Sequence, residues 1–275
     1  MKRLATLLAA SCVAATVAQA AAQMPTAPIF AWPFGTNTLQ PDDARKPGSD
    51  YMSPATQAMQ RDDTQNPAML WVANGEAQWS AATGAANKSC ASCHGEAKAS
   101  MRGAAAKFPR FSQAAGRVIT LSEQINQCRK DKLKAATLKP ESEDLLAMEA
   151  YVGMQSRAYP MSPSPDEQTR QSAARGQKLF TTRIGQLNLS CAQCHDDNAG
   201  KKLAGALIPQ GHANAYPIYR LEWQGVGSLQ RRLRNCMSGV RAEVPPYGAP
   251  DLVDLEAYLA LRAKGMSLET PGVRP

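Results

Sequence analysis

Three things are scarce in this chain. Histidine occurs only three times in 275 residues, so two metal centres cannot each take a pair of imidazoles. Aromatic residues make up 6%. They are not interleaved with basic ones in the way that stacks bases, so the formal charge of +8 does not point to nucleic acid. Beyond the first twenty residues no run is long and apolar enough to span a bilayer, and no membrane attachment is expected. A modest basic excess suits a small anionic substrate or an acidic protein partner.

The first twenty residues have the build of a secretory signal peptide. Lys2 and Arg3 give the basic start, residues 4–17 are apolar and alanine-rich, and Ala18-Gln19-Ala20 is a small-residue cleavage site. Removing Lys2 and Arg3 takes the formal charge from +8 to +6. Ala9-Ala10-Ser11-Cys12 is a loose lipobox, but alanine stands where leucine is usual. The expected product is a soluble periplasmic protein.

Two Cys-x-x-Cys-His motifs dominate what remains: Cys90-Ala91-Ser92-Cys93-His94 and Cys191-Ala192-Gln193-Cys194-His195. Each reads as a site for covalently bound haem c. A short turn puts both sulfurs on one edge of the porphyrin, where they add across its vinyl groups, and leaves the imidazole under the iron. A zinc site or a redox dithiol is the competing reading, but neither needs the fifth-position histidine twice. Two haem c groups are therefore expected.

Of seven cysteines, Cys12 leaves with the signal peptide and four hold haem, so Cys128 and Cys236 are left over. In an oxidising compartment the plain expectation is a disulfide between them. An internal repeat argues otherwise. Cys128 lies 34 residues after His94, and Cys236 lies 41 residues after His195. Further on, Met148-Glu149-Ala150-Tyr151-Val152 matches Leu255-Glu256-Ala257-Tyr258-Leu259. Each half runs haem motif, lone cysteine, amphipathic helix. In such a domain the lone cysteine falls where the distal iron ligand arises. Methionine or histidine is usual there, which keeps Met148, Met154, Met237 and His212 as candidates. The matching positions favour Cys128 and Cys236, with His94 and His195 as their proximal partners.

The expected architecture is all-α, with two cytochrome c-like domains in tandem behind an extended N-terminal arm. The boundaries read as signal peptide 1–20, arm 21–68, first haem domain 69–160 and second haem domain 161–275. Helices are expected over 69–80, 121–134, 142–152, 166–180, 228–237 and 252–263. The proline-rich stretch 159–165 reads as a linker, and 200–227 reads mostly as loop.

The helix around Cys236 carries an asymmetry. Arg232 precedes Cys236 by four residues, so the two share a face, and Leu229 and Leu233 share the inward one. A neighbouring guanidinium favours the thiolate and can grip a small oxyanion through paired hydrogen bonds. Arg231 and Arg234 read as a solvated face. Upstream of Cys128 the same face offers Gln124 and no cation. One haem site looks electron-storing and the other catalytic.

The pattern resembles the SoxA family, the dihaem subunits of the SoxAX cytochromes of bacterial thiosulfate oxidation. The resemblance runs over nearly the whole mature chain. It includes residues 51–60 (YMSPATQAMQ), 66–72 (NPAMLWV), 88–95 (KSCASCHG) and the segment from Arg232 through Asn235-Cys236-Met237. It implies His/Cys ligation at both haems, a persulfide on Cys236 as the active-site residue, and Arg232 as the substrate-binding arginine. It also implies an L-cysteine S-thiosulfotransferase, which joins thiosulfate oxidatively to a cysteine of a SoxYZ-like carrier protein. The implied partners are a SoxX-like monohaem cytochrome subunit and a cytochrome c electron acceptor. The competing functions are a plain dihaem electron carrier, a thiosulfate dehydrogenase forming tetrathionate, and a dihaem peroxidase. The carrier would favour Met237 over Cys236, and the peroxidase needs an open iron.

Overall fold

The structure, a computed structural model, describes residues 44–275. The expected signal peptide and residues 21–43 of the expected arm lie outside the described residues.

The described part of the arm is not extended. It opens with a 3-10 turn, Gly48–Tyr51, and a helix α1, Pro54–Arg61. Ser53 caps α1 by accepting from the Thr56 N–H, and Pro54 sits in the first turn, where its missing N–H costs nothing. The segment is fastened to the far end of the chain. Gln60 accepts from Val273 N at 3.0 Å, and Asn66 donates to Pro271 O at 3.0 Å.

Two similar lobes follow. In the first, helix α2 (Met69–Ser80) leads to the short turns α3 (Ala91–His94) and α4 (Ala97–Ser100). A hairpin of β1 (Arg110–Ser112) and β2 (Arg117–Ile119) comes next, then α5 (Leu121–Cys128) and α6 (Glu143–Met154). In the second, α7 (Glu167–Thr181) leads to α8 (Cys191–His195) and a two-residue hairpin, β3 (Lys202–Leu203) with β4 (Ala206–Leu207). Strands β5 (Ile218–Arg220) and β6 (Gly225–Gly227) pair antiparallel, and α9 (Leu229–Gly239) and α10 (Pro250–Arg262) complete the lobe. A last strand, β7 (Gly272–Arg274), returns to pair parallel with β5.

The expectation of an all-α chain is corrected by these strands. Helices build both lobes, but among the described residues three small sheets are interspersed with them along the chain. The stretch 200–227, expected as loop, holds four of the strands. Two- and three-residue strands are too short to show alternation in sequence, and β5 is specified by pairing with a segment more than fifty residues away. The expected linker is also pinned down. Met161 is buried, its N–H bonds Met266 O at 2.8 Å, and Ser162 N bonds Ala106 O at 2.9 Å.

Each lobe is held by one helix crossing, α2 on α6 and α7 on α10. Val72, Trp79, Met148 and Tyr151 fill the first core, and Phe180, Leu255, Tyr258 and Leu259 the second. Each such side chain contributes about 1.5–3 kcal/mol on burial. The crossings are close because glycine stands at both. A Cβ on Gly75 would lie 2.6 Å from Tyr151 Cβ, and one on Gly176 would lie 2.9 Å from Tyr258 Cβ. One turn after each glycine comes an aromatic that packs on the same tyrosine. Trp79 and Tyr151 have centroids 5.9 Å apart, and Phe180 and Tyr258 have centroids 5.2 Å apart.

Candidate haem sites

The second site is built on α8 and α9. Ser190 caps α8 with a reciprocal bond to Gln193, so the turn carrying Cys191, Cys194 and His195 is fixed at its start. Ser228 caps α9 by accepting from Arg231 N at 3.1 Å. Leu229 and Leu233 pack inward against the core, as their spacing predicts. That seating turns Cys236 toward α8, close enough to the His195 ring for the imidazole to pull its thiol down. His195 Nδ1 lies 2.7 Å from Pro209 O. Nδ1–H is thereby spent on the carbonyl, which leaves Nε2 as the ring nitrogen to serve a metal.

Charge in this site is uneven. Burial pushes the Cys236 thiol up, but the His195 hydrogen bond, Arg232, the His195 charge and Arg220 outweigh it, and the net direction is down. Burial, with Cys236 nearby, pushes Cys191 up to about 11 and moves Cys194 in the same direction. The lone cysteine is the one disposed to be a thiolate. Arg232 has no side-chain hydrogen bond or ion pair among the described residues, though it shares the face of Cys236.

Arg231 and Arg234 are not the solvated face expected of them. Arg231 stacks on Trp223 at 4.7 Å and donates to Val226 O. Arg234 stacks on Tyr247 at 4.3 Å and bonds Pro245 O. Their long stems cover apolar surface while their heads find carbonyls, a choice that charge spacing alone does not reveal.

The first site is more open. Cys93 and His94 are exposed, whereas the whole second motif is half-buried. Trp79 packs near the His94 ring, with centroids 5.7 Å apart, and donates to Gly95 O at 3.0 Å. Thr120 caps α5 with a full capping box to Glu123. Cys128, at the end of α5, accepts from Gln124 Nε2 at 3.5 Å. It lies close enough to Cys90 that, after burial, it is the next influence raising that thiol. No cation takes the place that Arg232 holds beside Cys236.

All six described cysteines are free thiols, so the plain disulfide expectation is not met. His212 is buried, with Nε2 3.2 Å from Gln210 Oε1, and burial followed by Arg262 pushes it down to about 3. Met148 is a core residue of the first lobe, and Met237 packs against the second core. The donor set suits covalent haem in both lobes: two thiols one turn apart, an imidazole next to them, and in the second lobe a thiol facing that imidazole. Sequence reasoning missed Pro209, Asp196 and Arg262, which surround His195. No local spacing marks them, since their link to the motif is made only by the fold.

Two lobes of this build define a c-type cytochrome with two covalently bound haem c groups. The model of the family described as SoxA/TsdA, cytochrome c domain, matches residues 74–161 and 175–268. The chain belongs to that family. It is 38% identical over 220 residues to the L-cysteine S-thiosulfotransferase subunit SoxA of Pseudaminobacter salicylatoxidans, covering 80% of this chain and 77% of that one. It is 34% identical to the subunit of the same name from Paracoccus pantotrophus, covering 82% and 78%. The crystal structure of SoxXA from P. pantotrophus superposes with a TM-score of 0.81 at 33% identity, over 84% of this chain and 87% of that one.

Proposed function

We propose that this chain is the dihaem subunit of an L-cysteine S-thiosulfotransferase. It joins thiosulfate to a cysteine of a SoxYZ-like carrier. The balanced reaction takes the carrier thiol and the thiosulfate dianion to a cysteine S-thiosulfonate, one proton and two electrons. Haem, when bound, supplies the electron sink, and a cytochrome c acceptor removes the electrons. The observation that carries the reading is the unpartnered guanidinium of Arg232 one turn from Cys236.

In this reading Cys90 and Cys93 hold the first haem, with His94 and Cys128 toward its iron. Cys191 and Cys194 hold the second, with His195 and Cys236. Arg232 grips the sulfonate oxygens and turns the sulfane sulfur toward Cys236. The Cys236 thiolate would form a sulfur–sulfur bond to it as two electrons pass to the haem sink, and the carrier thiol would then displace the Cys236 thiolate, giving up its proton. The first lobe, without a matching cation, stores or relays electrons. The domains divide at 160/161, the N-terminal arm precedes them, and a SoxX-like monohaem subunit completes a heterodimer in the periplasm. No helix among the described residues is long and apolar enough to cross a membrane.

The test is to incubate the haem-loaded complex with thiosulfate, the carrier and oxidised cytochrome c, and to weigh the carrier. A thiosulfonate adduct on its cysteine, with cytochrome c reduced, is expected. Tetrathionate formed equally well without carrier would make the chain a thiosulfate dehydrogenase. Cytochrome reduction with no new sulfur bond would leave an electron carrier.

A further inference from the structure

The orientation of His195 rests on a residue far along the chain. Arg262, at the end of α10, has a fully buried side chain. Its guanidinium makes an ion pair with Asp196, the residue that follows His195. It also donates to Gln210 O, from Nε at 3.3 Å and from a terminal nitrogen at 3.2 Å. Gln210 follows Pro209, whose carbonyl takes the His195 Nδ1–H. One planar fork thus fastens the chain on both sides of the imidazole. A lysine could not do this, because a single ammonium lacks donors fixed in two directions.

The surroundings complete the brace. The guanidinium lies 5.2 Å over the Phe180 ring, and that ring lies 6.5 Å from His195. Gly211 backs the imidazole closely, since a Cβ there would lie 3.1 Å from His195 Cγ. The Gln210 side chain is tied to the N-terminal segment, accepting from Lys46 N at 2.7 Å and donating to Ala44 O at 3.0 Å.

The first lobe has no such device. Gly95 follows His94, so no carboxylate stands in the place of Asp196. Gln155, just past the end of α6, bonds back to Tyr151 O. The His94 ring has no hydrogen bond among the described residues. A buried charge is costly and persists only when its partners are fully satisfied. Here it is retained in one lobe alone, the lobe that carries Arg232.

We propose that Arg262 is the positioning residue of the second haem site, holding His195 in one orientation by bridging Asp196 and the Pro209–Gln210 backbone. This deepens the reading of His195 as the proximal ligand and rests on it. A rotating imidazole would present more than one ligand field to the iron, so the brace secures a single ferric state.

The test is electron paramagnetic resonance of the intact haem-loaded complex, comparing wild type with Arg262→Lys and with the charge-neutral pair Arg262→Gln/Asp196→Asn. The wild type is expected to give one low-spin ferric signal for the second haem. Both variants should split it into at least two, while the first-haem signal stays fixed as an internal control of folding. A single unshifted second-haem signal in both variants would overturn the proposal. So would a wild-type spectrum from Arg262→Lys with splitting only in the pair, since charge rather than bridging would then be responsible. Changes in both haems together would mark a general loss of structure and would equally overturn it. A wild-type second haem lacking a histidine–thiolate signature would instead defeat the ligand reading beneath it.

Discussion

Arg232 and Cys236 lie one helical turn apart on α9, and among the described residues the arginine side chain is bonded to nothing. Its neighbours Arg231 and Arg234 are both engaged. A half-buried guanidinium left without a partner is a standing invitation to an oxyanion. Arg232→Ala should lower kcat/KM for thiosulfate by about tenfold or more, the worth of a charged hydrogen bond. Both haem spectra should be unchanged. Loss of the second-haem spectrum would make Arg232 a structural residue.

A second prediction concerns pH. Glu149 and Glu256 occupy equivalent places in the internal repeat and line a cavity of 290 Å³ between the lobes. Burial, then Glu256 and Glu141, pushes Glu149 up to about 8. Burial does the same for Glu256, against a 2.7 Å hydrogen bond from Gln230 and with Glu123 and Glu141 adding to the rise. The folded state therefore keeps protons that the unfolded chain releases near pH 4.3. Between there and about pH 8 the native state binds more protons, so these groups make stability fall as pH rises. Glu149→Gln with Glu256→Gln should flatten the fall of Tm between pH 5 and 8 and raise Tm at pH 8. An unchanged slope in the double variant would contradict the assignment.

A third prediction sets propensity against packing. Gly176 sits inside α7, where alanine would favour the helix by about 1 kcal/mol. At this position, however, a Cβ would fall well inside contact distance of the Asp254 carbonyl oxygen. That atom is backbone and cannot swing aside. Gly176→Ala should destabilise by about 1–3 kcal/mol, a loss of several degrees in Tm. Gly75→Ala should behave alike, since Ala147 O and Tyr151 meet it. A rise in Tm would show that the helices separate at little cost.

Much of this was legible in the chain. The two haem motifs, the helix over 69–80 and the matched Glu-Ala-Tyr segments follow from spacing alone, because local turns and helix faces are written in local order. The helix crossings are also marked in the chain: Gly75 and Gly176 each stand 15 residues before the first cysteine of a motif, each with an aromatic one turn later. The strands were not legible, because β5 is defined by partners at both near and far positions. Nor was the Arg262 brace, which joins residues 66 apart through one guanidinium. Buried ion pairs follow no period, so only the fold reveals them.

The central claim is that sulfur chemistry happens at Cys236 and not at its counterpart Cys128. The most direct measurement is mass spectrometry of both cysteine peptides from the complex, isolated without reductant and exposed to thiosulfate and oxidised cytochrome c. The account predicts added sulfur on Cys236 and none on Cys128. An unmodified Cys236, while the carrier is being conjugated, would contradict it.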